Sequence, residues 1–191
     1  MENKYWAHET AFICPEAQIG QGTKIWNHCQ ILSGCQIGQN CTIGHNILIA
    51  NTVKIGNNVK IQSNTDVWQG VELQDYVFVG PSVVFTNDLN PRAEFPKTKE
   101  QYLKTLVKIG ATLGANSTIV CGHEIGSYAF IGAGAVITEN IPDYAIVAGN
   151  PAKIIGWMCR CGEKLHFESD GAKCAKCQRK YLKNGEGVSE I

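Results

Sequence analysis

Four cysteines near the end of this 191-residue chain have the spacing of a metal site. Cys159 and Cys161 form a Cys-x-Cys pair, and Cys174 and Cys177 form a Cys-x-x-Cys pair after twelve further residues. Four thiolates at such spacing bind Zn²⁺ in small ribbons and leave the metal no open position. We therefore predict a structural zinc site in the tail, residues 157–191, which is too short to build a core alone. The first pair is one residue tighter than the usual knuckle, so free or disulfide-linked cysteines are the alternative.

Two further side chains could move protons. His123 is a candidate general base. Glu124 follows it directly, but neighbouring residues of a strand point to opposite sides, so Glu124 is poorly placed to orient the imidazole. A packed or solvent-bonded histidine is the favoured alternative. Asp88 could accept a proton by chemistry alone, although a loop carboxylate is more often only solvated.

These residues lie in a chain whose apolar residues return at every sixth position. From Ile13 to Phe85 thirteen successive residues spaced six apart are all apolar, and the count restarts out of phase at Val107 and runs to Ile137. Neither a helix nor a lone strand has this period, whereas a parallel β-helix does. The residue two before each aliphatic one is small or β-branched, which suits the crowded interior of a prism. The nineteen hexapeptides predict an all-β parallel β-helix of about six coils, three hexapeptides to a coil.

The same register assigns three more cysteines to packing. Cys29, Cys35 and Cys41 occupy the small position, where a thiol behaves as a small apolar group. Glycine often follows the aliphatic residue and asparagine often stands three after it, as corners with unusual backbone angles require.

The six-residue pattern stops at residues 87–106. This segment is polar and carries Pro91 and Pro96, and its length is typical of a functional loop. A tolerated surface insertion is the alternative.

Composition excludes several partners. Lys plus Arg and Asp plus Glu both number 17, and the pI is about 6.9, so no strong field would attract nucleic acid or an anionic membrane. Nine cysteines, an odd number, indicate a reducing compartment. The first twenty residues show no secretory pattern, and no apolar run is long enough to span a membrane, so we expect a cytoplasmic protein.

The hexapeptide pattern over residues 11–153 resembles the left-handed β-helix of the hexapeptide-repeat acyltransferases. The segments "GPSVVFTNDLNPRA", "GATLGANSTIVCG" and "GAGAVITENIPDYAIVAGNPAKIIGW" resemble the nucleotide-sugar N-acetyltransferases of that family. The resemblance implies a homotrimer that binds acetyl-coenzyme A between neighbouring prisms. It favours acetylation of the 3-amino group of a UDP-linked 2-acetamido-3-amino-2,3-dideoxy uronate in surface-polysaccharide (O-antigen) synthesis. A thymidine-linked 3-amino-3,6-dideoxyhexose is the alternative acceptor.

The resemblance also implies site residues. The asparagine of the Phe-Thr-Asn motif is Asn87, which would approach the sugar amine, while a cap of the loop's first turn is its alternative role. Arg92, or less well Lys97, could pair with the uronate carboxylate. The stacked corner residues Asn46 and Asn64 could contact the nucleotide sugar. Coenzyme A would lie along two paired glycine–alanine steps and along the segment that follows the last coil. In that segment Pro151 would end the regular structure and Lys153 would contact a phosphate. The full set of coenzyme residues is Gly114, Ala115, Gly132, Ala133, Asn150, Pro151 and Lys153.

Two other functions fit a prism of this kind. A γ-type carbonic anhydrase needs histidines at His-x4-His spacing, and the five histidines contain no such pair. A non-catalytic scaffold would have no use for the Phe-Thr-Asn loop or the GNPAK segment. We predict two domains, the β-helix of residues 1–156 with its projecting loop and the Cys-rich tail of residues 157–191.

Overall fold

Three sheets of very short parallel strands enclose the core of this chain in a computed structural model that describes residues 5–185 and 187–191. The strands of this prism, in chain order, are β1 Trp6–Ala7, β2 Phe12–Ile13, β3 Gln18–Ile19, β4 Lys24–Ile25, β5 Gln30–Ile31, β6 Gln36–Ile37, β7 Thr42–Ile43, β8 Leu48–Ile49, β9 Lys54–Ile55, β10 Lys60–Ile61, β11 Asp66–Val67, β12 Val71–Leu73, β13 Phe78–Val79, β14 Val84–Phe85, β15 Thr105–Val107, β16 Thr112–Leu113, β17 Thr118–Ile119, β18 Glu124–Ile125, β19 Phe130–Ile131, β20 Val136–Ile137 and β21 Ala145–Gly149.

Every third strand falls on the same face. Face A stacks β1, β4, β7, β10, β13, β16, β19 and β21; face B stacks β2, β5, β8, β11, β14, β17 and β20; face C stacks β3, β6, β9, β12, β15 and β18. We name the corners AB, BC and CA after the faces that each joins in chain order. Partners such as Ile25 and Ile43 lie eighteen residues apart, so three hexapeptides complete one coil as predicted.

The stack is longer than the predicted six coils, because face A carries eight parallel strands. The count of sixes missed β1, where Ala7 occupies the aliphatic position and pairs with Ile25. It also missed the last coil, where Val147 pairs with Ile131 at a separation of sixteen residues. A coil that is two residues short shifts the six-residue count, but its strand still pairs with the strand below it.

The predicted aliphatic rows form the core. Ile25, Ile43 and Ile61 are fully buried in successive coils of face A, and the other faces repeat this burial. Each buried aliphatic side chain contributes about 1.5–3 kcal/mol, so every coil adds its own share of the stabilisation.

The packing role predicted for the interior cysteines is confirmed, since Cys29, Cys35 and Cys41 are at most 1% exposed. Two of them also satisfy polar groups. The Cys29 thiol donates to the carbonyl of Gly44 at 2.8 Å and the Cys41 thiol to that of Gly56 at 3.1 Å. Thr23 in the same row donates to Gly38 in the same way, so the thiols act as weak hydroxyl substitutes. Burial raises the pKa of the Cys35 thiol to about 11, which keeps it protonated.

One corner differs from the other two. At the AB and CA corners the residue after the aliphatic one is repeatedly glycine, because the next coil lies directly against it. A Cβ on Gly114 would lie 2.6 Å from the backbone of Ala133, and one on Gly38 would lie 2.5 Å from the carbonyl oxygen of Gly56. The BC corner carries side chains at this position instead, namely Cys14, Leu32, Ala50, Trp68, Thr86, Val120 and Thr138.

The interruption leaves the prism at the BC corner. Phe85 pairs with Ile119 across 34 residues, which is sixteen more than one coil of eighteen. The excess projects as a loop that contains one short 3₁₀ helix, Lys99–Gln101. The Leu103 N–H donates to the Asn87 carbonyl at 2.9 Å and closes the base of the loop. Face C resumes with β15 at Thr105, so the loop ends slightly before the predicted limit of residue 106.

The regular structure continues past Pro151, so the prediction that this proline ends it is wrong. Asn150 and Pro151 form the turn of an antiparallel hairpin between β21 and the next strand. The strands of this last part are β22 Ala152–Met158, β23 Lys164–Leu165, β24 Gly171–Lys173, β25 Lys180–Asn184 and β26 Gly187–Glu190.

The tail is joined to the prism through a shared sheet. β22 and β23 extend face A, whereas β24, β25 and β26 form a separate three-stranded sheet. β22 runs across the predicted boundary at residue 156. We name the part from residue 159 onward the ribbon; its small core consists of Cys159, Leu165, Ala172, Cys174, Tyr181 and Val188. Among the described residues, no helix is long and apolar enough to cross a membrane.

The close stacking at the corners predicts the effect of adding one methyl group. Gly38→Ala would place a Cβ 2.5 Å from a backbone oxygen that belongs to the next coil and cannot retreat alone. We expect the free energy of unfolding to fall by about 1–3 kcal/mol, measured by denaturant unfolding. Gly171→Ala, where nothing lies within 4 Å of the added Cβ, is the control and should change stability by less than about 0.5 kcal/mol. Equal stabilities for the two variants would contradict this account of the corners.

Candidate functional site

The base of the loop brings two predicted site residues to one corner. Asn87 lies two positions beyond the Phe85–Ile119 pair, where Cys121 of the next coil donates its N–H to Thr86 Oγ1 at 3.0 Å. His123 lies on the other side of the base, one position before the pair formed by Leu106 and Glu124. We name Asn87, Leu103, Lys104, Gly122 and His123 the neck site. The Lys104 carbonyl accepts the Gly122 N–H at 3.0 Å, which joins the loop's return to the coil above.

His123 departs from the rest of its row. Thr105, Ala111 and Ser117 of that row are buried inside the prism, whereas His123 is only partly covered and lines a cleft of about 350 Å³. Within the described residues its imidazole makes no hydrogen bond. The Glu124 carboxylate binds Lys108 Nζ at 2.8 Å, in agreement with the prediction that it does not orient His123.

The other polar residues of the loop hold one another. Lys97 forms an ion pair with Asp88, and the Asn90 N–H donates to the same carboxylate at 3.0 Å. The hydrogen bond from Lys97 lowers the pKa of Asp88, so this carboxylate is ionised and engaged at neutral pH. Lys97 is therefore occupied, while Arg92 is exposed.

The predicted coenzyme residues lie on a different edge. Gly114–Ala115 and Gly132–Ala133 are stacked at the AB corner, each following a face A strand. The hairpin turn at Asn150–Pro151 follows the last face A strand and so continues the same edge. We name these six residues the AB edge.

Asn46 and Asn64 belong to the same corner, lower in the stack. Their backbones are left-handed, with φ of 55° and 60°, and the Asn46 amide donates to Asn64 Oδ1 at 2.9 Å. These contacts show how the pair builds the corner, and a contact with a sugar nucleotide stays a prediction. Lys153 lies just past the AB edge, exposed and 3.3 Å from the Glu139 carboxylate.

The four tail cysteines form a compact cluster. All four sulfurs lie within 4.8 Å of one another, with Cys159 3.4 Å from both Cys161 and Cys177, and Cys161 3.6 Å from Cys174. These separations exceed the roughly 2.05 Å of a disulfide. A tetrahedral four-thiolate zinc site with Zn–S of about 2.3 Å requires sulfurs about 3.8 Å apart, so the cluster matches a metal site.

The surroundings of the cluster act in opposite directions on its thiols, since N–H groups point at some sulfurs while burial raises the pKa of others. The backbone N–H groups of Cys161 and Cys177 donate to the sulfurs of Cys159 and Cys174, both at 3.5 Å. The backbone N–H of Arg179 lowers the pKa of Cys177 to about 6, whereas burial raises that of Cys159 to about 12. Metal binding requires deprotonated thiols, and a cation at the centre would favour deprotonation of Cys159.

Three tyrosines that were not among the predicted site residues lead from this cluster to the prism, and one of them, Tyr181, contacts Cys159. Tyr128 and Tyr144 occupy the left-handed CA corner position that holds asparagine at Asn40 and Asn58, and Tyr181 lies in the ribbon core. The signal available in the sequence was an aromatic residue in a row otherwise suited to asparagine.

Comparison with known proteins agrees with the repeat geometry. A family model described as bacterial transferase hexapeptide (six repeats) matches residues 16–50. A second, described as hexapeptide repeat of succinyl-transferase, matches residues 35–67 and 107–139, on either side of the loop. The repeat segments of this chain are similar to the hexapeptide repeats that both models describe.

One curated relative shares a long segment with this chain. It is the dTDP-3-amino-3,6-dideoxy-alpha-D-galactopyranose 3-N-acetyltransferase of Aneurinibacillus thermoaerophilus, 49% identical over 89 residues, which are 47% of this chain and 45% of the relative. The match thus spans less than half the length of that relative.

Solved structures share the fold at low identity. A hexapeptide transferase family protein from Anaplasma phagocytophilum has a TM-score of 0.55 at 18% identity, covering 81% of this chain and 80% of the other. A Bacillus cereus protein described as a candidate acetyltransferase has a TM-score of 0.54 at 23% identity, covering 82% and 86%. These similarities support the β-helix fold, and no substrate is inferred from them.

Proposed function

We propose that this chain is a sugar-nucleotide N-acetyltransferase. It transfers the acetyl group of acetyl-coenzyme A to the 3-amino group of a UDP-linked 2-acetamido-3-amino-2,3-dideoxy uronate, in surface-polysaccharide synthesis. The observation that carries the proposal is the position of Asn87, partly buried at the base of a loop that leaves the corner next to His123. The Aneurinibacillus relative, whose name specifies acetylation of a 3-amino sugar nucleotide, supports the reaction type.

The chemistry asks little of the protein beyond positioning. The sugar amine attacks the thioester carbonyl, the carbon–sulfur bond breaks, and the leaving thiolate takes up the proton that the amine loses. Asn87 Oδ1 can accept a hydrogen bond from the amine and direct its lone pair, although an amide cannot serve as a base. We propose that His123, which lines the cleft at this corner, passes that proton from the amine to the leaving thiolate.

Arg92 supports the choice of a uronate. It is an exposed cation on the loop, and its planar fork can bind both carboxylate oxygens. Lys97 is already paired with Asp88 and does not compete for this role. The Aneurinibacillus relative instead favours the second candidate acceptor, a thymidine-linked 3-amino-3,6-dideoxyhexose.

The separation of the neck site from the AB edge supports an assembly of several chains. Face B lies between the two corners, so a site built on one prism would have to span that face. We propose a homotrimer in which the AB edge of one chain faces the neck site of its neighbour. The apolar side chains that face B exposes, Phe12 at 59% and Val84 at 48%, suit burial against a second copy.

An acceptor-dependent assay tests the proposed reaction. We expect the purified chain to release free thiol from acetyl-coenzyme A when UDP-2-acetamido-3-amino-2,3-dideoxyglucuronate is added, with a lower kcat/KM for its C6-hydroxymethyl analogue. Arg92→Gln should lower kcat/KM about tenfold for the uronate and leave the neutral analogue unchanged, which corresponds to about 1.4 kcal/mol. Turnover only with dTDP-3-amino-3,6-dideoxyhexoses would select the second candidate, and silence with every 3-amino sugar would refute the proposal.

The role of Asn87 has its own test. Asn87→Ala should lower kcat by roughly tenfold or more, because one oriented hydrogen bond of at least about 1.4 kcal/mol is lost in the transition state. Asn90→Ala is the matched control, since Asn90 is an exposed loop asparagine whose recorded bond uses only its backbone. Unchanged turnover in a folded Asn87→Ala protein would remove Asn87 from the site.

We also propose that Cys159, Cys161, Cys174 and Cys177 hold one Zn²⁺. With four thiolates the ion would cross-link the ribbon and take no part in acetyl transfer. The sulfur separations and the N–H groups directed at them support this assignment. Free or disulfide-linked cysteines are the competing states.

Metal analysis tests the zinc site. The protein as purified should contain about one zinc per chain by atomic absorption, and Cys174→Ser should lose it. Cys14→Ser, which changes a partly exposed cysteine outside the cluster, should keep the metal. In the unchanged protein, zinc removal should expose the tail thiols to alkylation while Cys29 and Cys41 stay protected by burial. A metal-free protein that resists alkylation at the tail would contradict the proposal.

A further inference from the structure

A continuous line of contacts joins the cysteine cluster to the prism. Cys159 Sγ lies 3.1 Å from the Tyr181 hydroxyl, which also accepts the Arg160 N–H at 3.2 Å. The Tyr181 ring meets Tyr144 edge-on with centroids 5.4 Å apart, and Tyr144 stacks on Tyr128 at 5.5 Å with an interplanar angle of 17°. Aromatic pairs of this geometry stabilise by about 0.5–1.5 kcal/mol beyond their burial. We name Tyr128, Tyr144 and Tyr181 the tyrosine line.

The fold makes room for this line at both ends. Gly110 lies under Tyr128, where an added Cβ would meet the ring at 2.3 Å. The Arg160 guanidinium covers the Tyr128 ring at 5.0 Å from its centroid. Tyr181 is only 1% exposed although it belongs to the small ribbon. These contacts make the line a built interface between the ribbon and the last coils of the prism.

Tyr144 also holds the base of the β21–β22 hairpin. Its carbonyl accepts the Met158 N–H at 2.7 Å, and the next residue, Ala145, pairs with Trp157. Trp157 in turn packs against both the prism core and the ribbon core. The tyrosine line therefore meets the hairpin at its open end, where Ala145 pairs with Trp157, and the Asn150–Pro151 turn lies at the opposite end.

The hairpin needs such support more than the strands below it. Only face A continues past the last coil, since face B ends with β20 and face C ends with the single Ile125–Ile141 bridge above β18. The two hairpin strands are therefore not enclosed by a complete coil, and the ladder is irregular between Ile146 and Val147. Ile154 and Ile155 of the outer strand are 47% and 58% exposed. The direction of the turn thus depends on how the base is fixed.

We infer that Tyr144 and Tyr181 are positioning residues that connect the metal state of the cysteine cluster to the AB edge. The line fixes the hairpin base, and the hairpin lays Ala148 against Gly132 of the AB edge before it turns at Asn150 and Pro151. The part that concerns acetyl-coenzyme A rests on the proposed function. The mechanical link between cluster and hairpin rests on the contacts described and on the proposed zinc site.

The chain provides a matched pair of substitutions. Tyr144 and Tyr76 occupy the same CA corner row with nearly equal left-handed φ, 63° and 61°, and the row holds asparagine at Asn40 and Asn58. Tyr144→Asn and Tyr76→Asn therefore make the same change in the same backbone conformation. Only the first cuts the tyrosine line, because Tyr76 is 60% exposed.

Amide hydrogen exchange of the full zinc-loaded chain, read by mass spectrometry, tests the link. Tyr144→Asn should raise exchange in peptides covering residues 145–158 about tenfold and leave residues 42–61 unchanged. Tyr76→Asn should leave residues 145–158 unchanged. Zinc removal from the unchanged protein should produce the same rise, and in Tyr144→Asn it should add little there, because the link is already cut. Unaltered exchange at 145–158 after zinc removal would overturn the inference.

Titration with acetyl-coenzyme A tests the positioning role. Tyr144→Asn and the milder Tyr181→Phe, which deletes only the hydroxyl, should raise the dissociation constant about tenfold and about threefold. The Tyr144→Asn enzyme should show the change in KM for acetyl-coenzyme A, with kcat and the acceptor KM unaltered. Faster exchange with unchanged coenzyme affinity would overturn the positioning role. Absence of coenzyme binding in the unchanged chain would refute the proposed function, while the exchange data would still decide the mechanical link.

Discussion

The structure depends on the requirement that each coil lie in register on the next. Backbone N–H groups donate to carbonyls seventeen residues ahead, as from Trp6 to Thr23 and from Lys24 to Cys41. A coil of a different length has to return to this ladder. The last coil does so with two residues fewer, and the sixteen extra residues after Phe85 do so by leaving the prism. The same requirement places Asn87 at the loop base, because this is where the chain leaves the ladder.

The three corners of the prism differ in the side chains that they can accommodate. At several levels of the AB and CA corners the next coil leaves no room for a Cβ, so glycine recurs there, as at Gly114 and Gly38. The BC corner accepts larger side chains, and it is here that the loop and His123 stand. One edge is therefore suited to lie along an extended ligand, and another to present functional groups. Both belong to one prism and face B separates them, which is why the proposed site draws on two chains.

The ribbon covers part of the end of the coil stack. A stack of coils ends in strands that lack partners, and the β21–β22 hairpin covers only one face. The ribbon continues that sheet with β23 and meets the last corner through the tyrosine line. Its own core of six buried residues is small, so a cross-link through the cysteine cluster would contribute much of its stability.

The sequence by itself determined the repeating part of this protein. A six-residue aliphatic rhythm has one economical solution, so the three faces, the buried cysteines and the site of the loop could be predicted. The spacing of four cysteines likewise indicated their cluster, since each pair is local.

Tertiary structure decided what depends on contacts between distant segments. It placed Asn87 and His123 at one corner and the coenzyme residues at another, paired Lys97 with Asp88, and carried the chain through Pro151 into a hairpin. It also joined Tyr128, Tyr144 and Tyr181, which are separated by sixteen and thirty-seven residues. A period in the sequence specifies the neighbours that repeat. It does not specify a contact that occurs only once, because such a contact depends on how two segments outside the repeat meet in space.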